Sequence, residues 1–161
     1  MGLTALCPGT FDPVTNGHLD IIERAAQRFE ALVVAVLDNP VKHPLFSVED
    51  RVSQLKEVTQ PLANVEVDSF SGLLVEYATR KGAAVVVKGL RAITDFEYEI
   101  QMAQMNHRLG GLETLFMTTS PQWSFLSSSL VKEVAALGGD VSGLVPAVVN
   151  ERLTHKLAKK A

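Results

Sequence analysis

Apolar positions along this chain come in two alternating patterns. Five stretches are short and continuous or nearly so: Leu3–Leu6, Ala31–Leu37, Val65 with Val67 in 64–69, Ala84–Val87 and Thr114–Met117. All five predict strands; Ala31–Leu37, rich in valine and without polar interruption, and the continuous Ala84–Val87 read as strands buried on both faces, as in a parallel sheet. Between them apolar residues recur every three or four positions. Leu19, Ile22, Ala26 and Phe29 alternate with Glu23, Arg24, Gln27 and Arg28; Val48, Val52, Leu55 and Val58 follow; then Leu73, Leu74, Tyr77 and Ala78. These spacings predict helices. The longest helix is expected from Asp95, its cap, to about Leu109, with an apolar surface wider than one core contact needs. A short one is expected over about Ser129 to Leu137, and a last one from Pro146 with Val149, Leu153 and Leu157 on one side and Lys156, Lys159 and Lys160 at its end. Ser47 with Asp50 three residues on, and Ser71, are expected caps, and Gly82, Gly110-Gly111 and Gly138-Gly139 expected stops. Prolines 40 and 44 make 38–44 a loop.

Strand and helix therefore alternate five times. The expected fold is α/β: a doubly wound, five-stranded parallel sheet with helices on both faces and a C-terminal helix, one domain over 1–161. In such sheets ligands bind beyond the carboxyl ends of the strands, where the strand order reverses.

Composition adds little to that picture. Of 161 residues 47% are hydrophobic and 20% charged, ordinary values for a globular protein. A net charge of −3 gives no reason to expect nucleic acid, so any anion site must be local. No apolar run approaches the roughly 20 residues that span a bilayer, and nothing near Met1 reads as a signal peptide. One cysteine, Cys7, allows no internal disulfide and suits a reducing cytosol. No Cys-x-x-Cys or His-x₃-His pair is present, so no metal-ligating set is expected.

The chemistry sits at the strand ends. Cys7-Pro8-Gly9-Thr10-Phe11-Asp12-Pro13-Val14-Thr15-Asn16-Gly17-His18 joins the first strand to the first helix. Glycines at a strand–helix turn let backbone approach a phosphate, and free N–H groups at a helix start attract it. Lys42 follows the second strand, Lys88 and Arg91 the fourth, and Trp123, Ser124 and Ser127–Ser129 the fifth. Cations, hydroxyls and two helix starts around one crevice make a polyphosphate site in kind. No Gly-x-x-x-x-Gly-Lys-Ser/Thr, Gly-x-Gly-x-x-Gly, Gly-x-Ser-x-Gly or His-Glu-x-x-His is present, which excludes the P-loop, the dinucleotide fingerprint, the hydrolase elbow and the zinc protease. Nucleotidyl transfer needs positioning and charge neutralisation rather than covalent chemistry, and Thr10 with Gly17-His18 at a helix start supplies both.

Pro8-Gly9-Thr10-Phe11-Asp12-Pro13-x-Thr15-Asn16-Gly17-His18 resembles the signature of the nucleotidyltransferases that share a His-x-Gly-His-type motif with class I aminoacyl-tRNA synthetases; Thr15 stands in the first place of the motif. Lys88-Gly89-Leu90-Arg91, Asp95 to Glu99, Asn106 and Trp123 to Ser129 narrow the resemblance to the branch that adenylylates 4′-phosphopantetheine, over residues of about 5 to 145. The resemblance implies transfer of AMP from ATP, giving dephospho-coenzyme A and pyrophosphate. It implies that Thr10, Lys42, Leu74 and Lys88 meet the acceptor, and that His18, with Lys42 and Arg91, stabilises the reacting phosphate. Thr10, Phe11, His18, Gly89, Leu90, Arg91, Glu99, Trp123, Ser124, Phe125, Leu126, Ser127, Ser128 and Ser129 are implied to bind ATP. Mg²⁺ with the triphosphate, a homohexamer, a cytoplasmic location and inhibition by coenzyme A are further implications. Position 88 is often Arg in that branch; Lys keeps the charge without the fork. A sister enzyme using another phosphate monoester, and a non-catalytic nucleotide-binding or flavodoxin-like domain, are the rival readings.

Overall fold

All five apolar runs enter one parallel sheet. In the computed structural model, which describes residues 2–91 and 93–158 and side chains at all of these but 40 and 93–95, the strands are β1 (Thr4–Gly9), β2 (Ala31–Leu37), β3 (Val65–Phe70), β4 (Val85–Leu90) and β5 (Glu113–Thr118), in the order β3-β2-β1-β4-β5. The order reverses at β1. β1 and β2 stay in register over six residue pairs, from Thr4↔Ala31 to Gly9↔Val36. β1 and β4 pair only at Ala5↔Val85 and Leu6↔Val86. Beyond those pairs the two strands part, and a cleft opens between their carboxyl ends.

Alternation along the strands divides the core in two. Ala5, Cys7, Leu32, Val34, Val36 and Val87 face one side, packed by Ile22 and Ala25 of α1 (Asn16–Ala26), Leu55 of α2 (Val48–Val58), Val131 of α5 (Ser128–Ala136) and Val149 and Leu153 of α6 (Ala147–Ala158). Leu6, Val33, Ala35 and Val86 face the other, covered by Tyr77 and Ala78 of α3 (Leu74–Lys81). The apolar sides of both faces are thus removed from water, as continuous strand hydrophobicity requires.

Helix starts follow their caps. Ser47 caps α2 in a reciprocal box with Asp50, as expected. Ser71 does not cap α3: the N-cap is Leu73, without a side-chain bond, because the chain first turns through Gly72 at φ 83°. Gly82 closes α3 in the left-handed conformation, φ 63°. β4 extends through Lys88, Gly89 and Leu90 rather than stopping at Val87, because these residues continue the ladder with β5. The long helix α4 (Ile93–Gly110) begins two residues before Asp95, so Asp95 lies inside its first turn; the cap expected of that side chain, like Lys159 and Lys160, lies outside the described residues. α5 begins one residue earlier than expected, with Ser127 as cap. α4 leaves Tyr98, Met102, Met105 and Leu109 exposed; on the edge strand β5 it is Phe116 that meets α4, through Phe96, whereas exposed Leu115 lies in register with Val87 on the other face of the sheet. No described helix is long and apolar enough to cross a membrane.

Candidate active site

The parting of β1 and β4 opens into a cleft of about 740 Å³. The strand–helix turn forms one wall. Phe11 is held at φ 50°, and its ring meets the His18 imidazole edge-on, 5.1 Å between centroids. Thr15 caps α1 and forms a reciprocal box with His18, which occupies the third helical position normally filled by Glu or Gln. Thr15 N–H donates to His18 Nδ1 at 3.0 Å, and Thr15 Oγ1 accepts from His18 N–H at 3.3 Å. Because Nδ1 is an acceptor, the ring proton sits on Nε2. Burial, and then the charge of Arg91, push the imidazole down to about 4. His18 is therefore a neutral donor at neutral pH, with its orientation set by its own helix cap.

That shift has a sign that can be checked. Between about pH 6.5 and 4 the unfolded chain binds a proton at this histidine that the native chain does not. Stability from His18 is full above pH 6.5 and is lost as pH falls toward 4. Wild type is expected to lose more thermal stability between pH 7.5 and 5 than His18→Gln, whose amide at the same helical position cannot titrate. Equal losses in calorimetry would place the ring near its ordinary pKa.

The opposite rim comes from β4 and α4. Lys88 Nζ lies 3.4 Å from Glu99 Oε2, both partly exposed in the cleft. Glu99 thus neutralises a site cation within its own chain. Arg91 Nη1 donates to Leu126 O at 2.7 Å, tying the end of β4 to the loop before α5. Gly89 faces α1: a Cβ there would come within 2.9 Å of Ile21 Cγ1. Gly89→Ala is expected to destabilise by roughly 1–3 kcal/mol through overpacking and to lower turnover by displacing the helix that carries His18. Urea titration and a rate assay check it; no loss in either would mean that α1 can move away freely.

The third wall is the start of α5. Ser127 Oγ accepts from Leu130 N–H at 3.1 Å as cap, while Ser128 Oγ donates to Pro13 O at 2.7 Å and Ser124 Oγ to Pro121 O at 3.0 Å. These hydroxyls hold the loop and dock α5 on the first turn, so that its start, Ser127–Ser129, lines the cleft. Lys42 ends a 3₁₀ turn (Pro40–Lys42) and reaches the cleft from an exposed loop.

Thr10, Phe11, His18, Lys42, Leu74, Lys88, Gly89, Arg91, Glu99, Leu126, Ser127, Ser128 and Ser129 all line this one cleft. Leu90, Trp123, Ser124 and Phe125 do not. Leu90 O accepts from Thr119 N–H and Oγ1–H. Trp123 packs against the core, its Cβ 3.5 Å from where a Cβ on Gly17 would stand, and Phe125 is exposed. Sequence reasoning passed over Asp12, Arg51, Lys132 and the wall position of Cys7. Burial raises the Cys7 thiol to about 11. Asp12 was visible inside the first motif; nothing local marked Arg51 or Lys132.

Residues 6–134 match the Cytidylyltransferase-like family. The chain is 56% identical to the phosphopantetheine adenylyltransferase of Caldanaerobacter subterraneus subsp. tengcongensis, covering 96% of this chain and 98% of that one. It is 54% identical to that of Streptomyces coelicolor, covering 97% and 98%. This chain belongs to the phosphopantetheine adenylyltransferase family. The family's fold reaches further: a Vibrio parahaemolyticus protein assigned as a nicotinate-nucleotide adenylyltransferase superposes with TM-score 0.61 at 17% identity, covering 95% of this chain and 99% of that one. A lipopolysaccharide core biosynthesis protein from Thermoplasma volcanium superposes with TM-score 0.55, also at 17% identity, over 74% and 98%. Both share the fold of this chain.

Proposed function

We propose that this chain transfers the adenylyl group of ATP to 4′-phosphopantetheine, giving dephospho-coenzyme A and pyrophosphate. One observation carries the reading: a single cleft gathers Thr10, His18, Lys42, Arg91 and the start of α5, in a chain so close to named phosphopantetheine adenylyltransferases over its whole length. Thr10 and Lys42 hold the acceptor phosphate. Arg91 and the N–H groups of α5 hold the triphosphate. A phosphate oxygen of the acceptor attacks the α-phosphorus in line, the α–β P–O bond breaks, and pyrophosphate leaves with the bonding electrons. His18 Nε2–H donates to the α-phosphate oxygens as charge builds on them. The uncharged arm of the acceptor lies along Leu74, Met102 and Ala103, with Asn106 as its polar partner.

Two features favour direct attack over a covalent adenylyl-enzyme. Burial keeps the Cys7 thiol protonated, and His18 Nδ1 is taken up by Thr15. The cleft carboxylates Asp12 and Glu99 are each paired with a lysine. That donor set suits Mg²⁺ entering on the triphosphate, with phosphate oxygens and water as its ligands, where it would neutralise charge.

Pyrophosphate release is expected only when ATP and 4′-phosphopantetheine are both supplied, with no label retained on protein from α-³²P-ATP after acid quench. ADP formation, or release only with a different phosphate monoester, would sink the reading. The exposed apolar positions of α4 support a homo-oligomer, a hexamer by family, buried through that surface, and a cytoplasmic location is the family's expectation. Light scattering is expected to give six chains; a monomer would refute it. Coenzyme A, which carries both halves of the product, is expected to compete for the same cleft.

A further inference from the structure

Asp12 is a buried carboxylate, 3% exposed, two residues beyond Thr10. A charge out of water is stable only when well paired. Asp12 Oδ1 accepts from Phe46 N–H at 2.9 Å, and Oδ2 from Leu45 N–H at 2.9 Å and from Lys132 Nζ at 2.7 Å. One side chain therefore joins three segments far apart in sequence: the first turn, the return of the loop that bears Lys42, and α5. Lys42 itself is exposed, so its reach depends on how its loop is held. Arg51, 1% exposed on α2, holds the same loop from behind: it bonds Leu37 O before it, Phe46 O at its end and Thr10 O across it.

We infer that Asp12 is a positioning residue for the acceptor half of the reaction, fixing the Lys42 loop against Thr10 so that the acceptor phosphate meets a site already formed. This rests on the adenylyl-transfer reading above. The carboxylate is required because both of its oxygens accept. An amide of the same shape would turn an NH₂ toward a backbone N–H or toward Lys132, donor against donor. Misplacement by about 1 Å is enough to cost up to 10²-fold in turnover.

Asp12→Asn is expected to raise KM for 4′-phosphopantetheine about tenfold and lower kcat, with KM for ATP within about twofold. Lys42→Ala in that background is expected to cost at least about fivefold less than in wild type, because the loop is already displaced. Asp12→Glu keeps the charge but shifts the loop, and the same one-sided rise in KM is expected of it, which covers poor folding of the amide variant. Equal rises in both KM values, or effects of Asp12→Asn and Lys42→Ala that multiply in full, would overturn the inference. Hydrogen exchange separates its failure from failure of the adenylyl-transfer reading. The amides of Leu45 and Phe46 are expected to lose protection in Asp12→Asn while those of β1–β3 keep theirs, whatever substrate the wild type turns over. Unchanged protection would overturn it independently.

Discussion

His18→Ala lowers kcat by about 10²–10³, the size expected when one donor to a developing phosphate charge is removed. Three features of the cleft set up this donor. Thr15 N–H fixes the proton on Nε2, Phe11 backs the ring, and burial with Arg91 keeps it neutral. The donor is thus present before substrate arrives and needs no reorganisation. KM for both substrates should change little, since the effect belongs to the transition state. The substitution also removes half of a capping box, which costs about 1 kcal/mol, so thermal stability is measured beside the rate. His18→Gln, which restores the box, should recover the stability and little of the rate. A kcat within about twofold of wild type for His18→Ala would show that the ring is only a cap.

The second large effect is on stability. Arg51→Met is expected to destabilise by about 3 kcal/mol, because it takes the guanidinium donor from the buried Phe46 carbonyl and the partly buried Thr10 and Leu37 carbonyls at once. The guanidinium donates to Thr10 O at 2.8 Å, Leu37 O at 3.1 Å, Phe46 O at 3.2 Å and Ser47 O at 3.3 Å. Each group left without a partner in the interior costs roughly 1–3 kcal/mol, less where water enters. For a chain of this length that corresponds to a drop in melting temperature of about 6–12 °C. Arg51→Lys should recover only part of it, since an ammonium cannot address two ends of a loop with one planar fork. A melting temperature unchanged by Arg51→Met would mean that the carbonyls find other donors.

Much of the architecture was legible in residue order. Ala31–Leu37 is continuous and valine-rich, and it is a strand buried on both faces. The Ser47–Asp50 spacing is a capping box, and Gly82 is a left-handed stop. These signals are local, so chain order is enough to read them. Errors came where local and distant forces compete. Ser71 has the chemistry of a cap, but Gly72 turns the chain first. The apolar run of the fourth strand ends at Val87, but β5 continues the ladder through Lys88, Gly89 and Leu90 and draws them into the strand.

The site divides the same way. From the sequence alone came the fold class, the strand-end location of the chemistry, and the residue types that phosphate transfer needs, because strand periodicity places every such turn at one edge of a parallel sheet. Only the tertiary structure decided which nitrogen of His18 carries the proton, that Glu99 pairs with Lys88, that Ser128 docks on Pro13, and that Asp12 and Arg51 hold the loop of Lys42. The reason is physical. Periodicity is set by bonds between near neighbours, whereas the aim of Asp12 and Ser128 depends on partners that folding brings from 33 to 120 positions away, and even the nearer pairs, Thr15–His18 and Lys88–Glu99, meet only once strand and helix have formed around them.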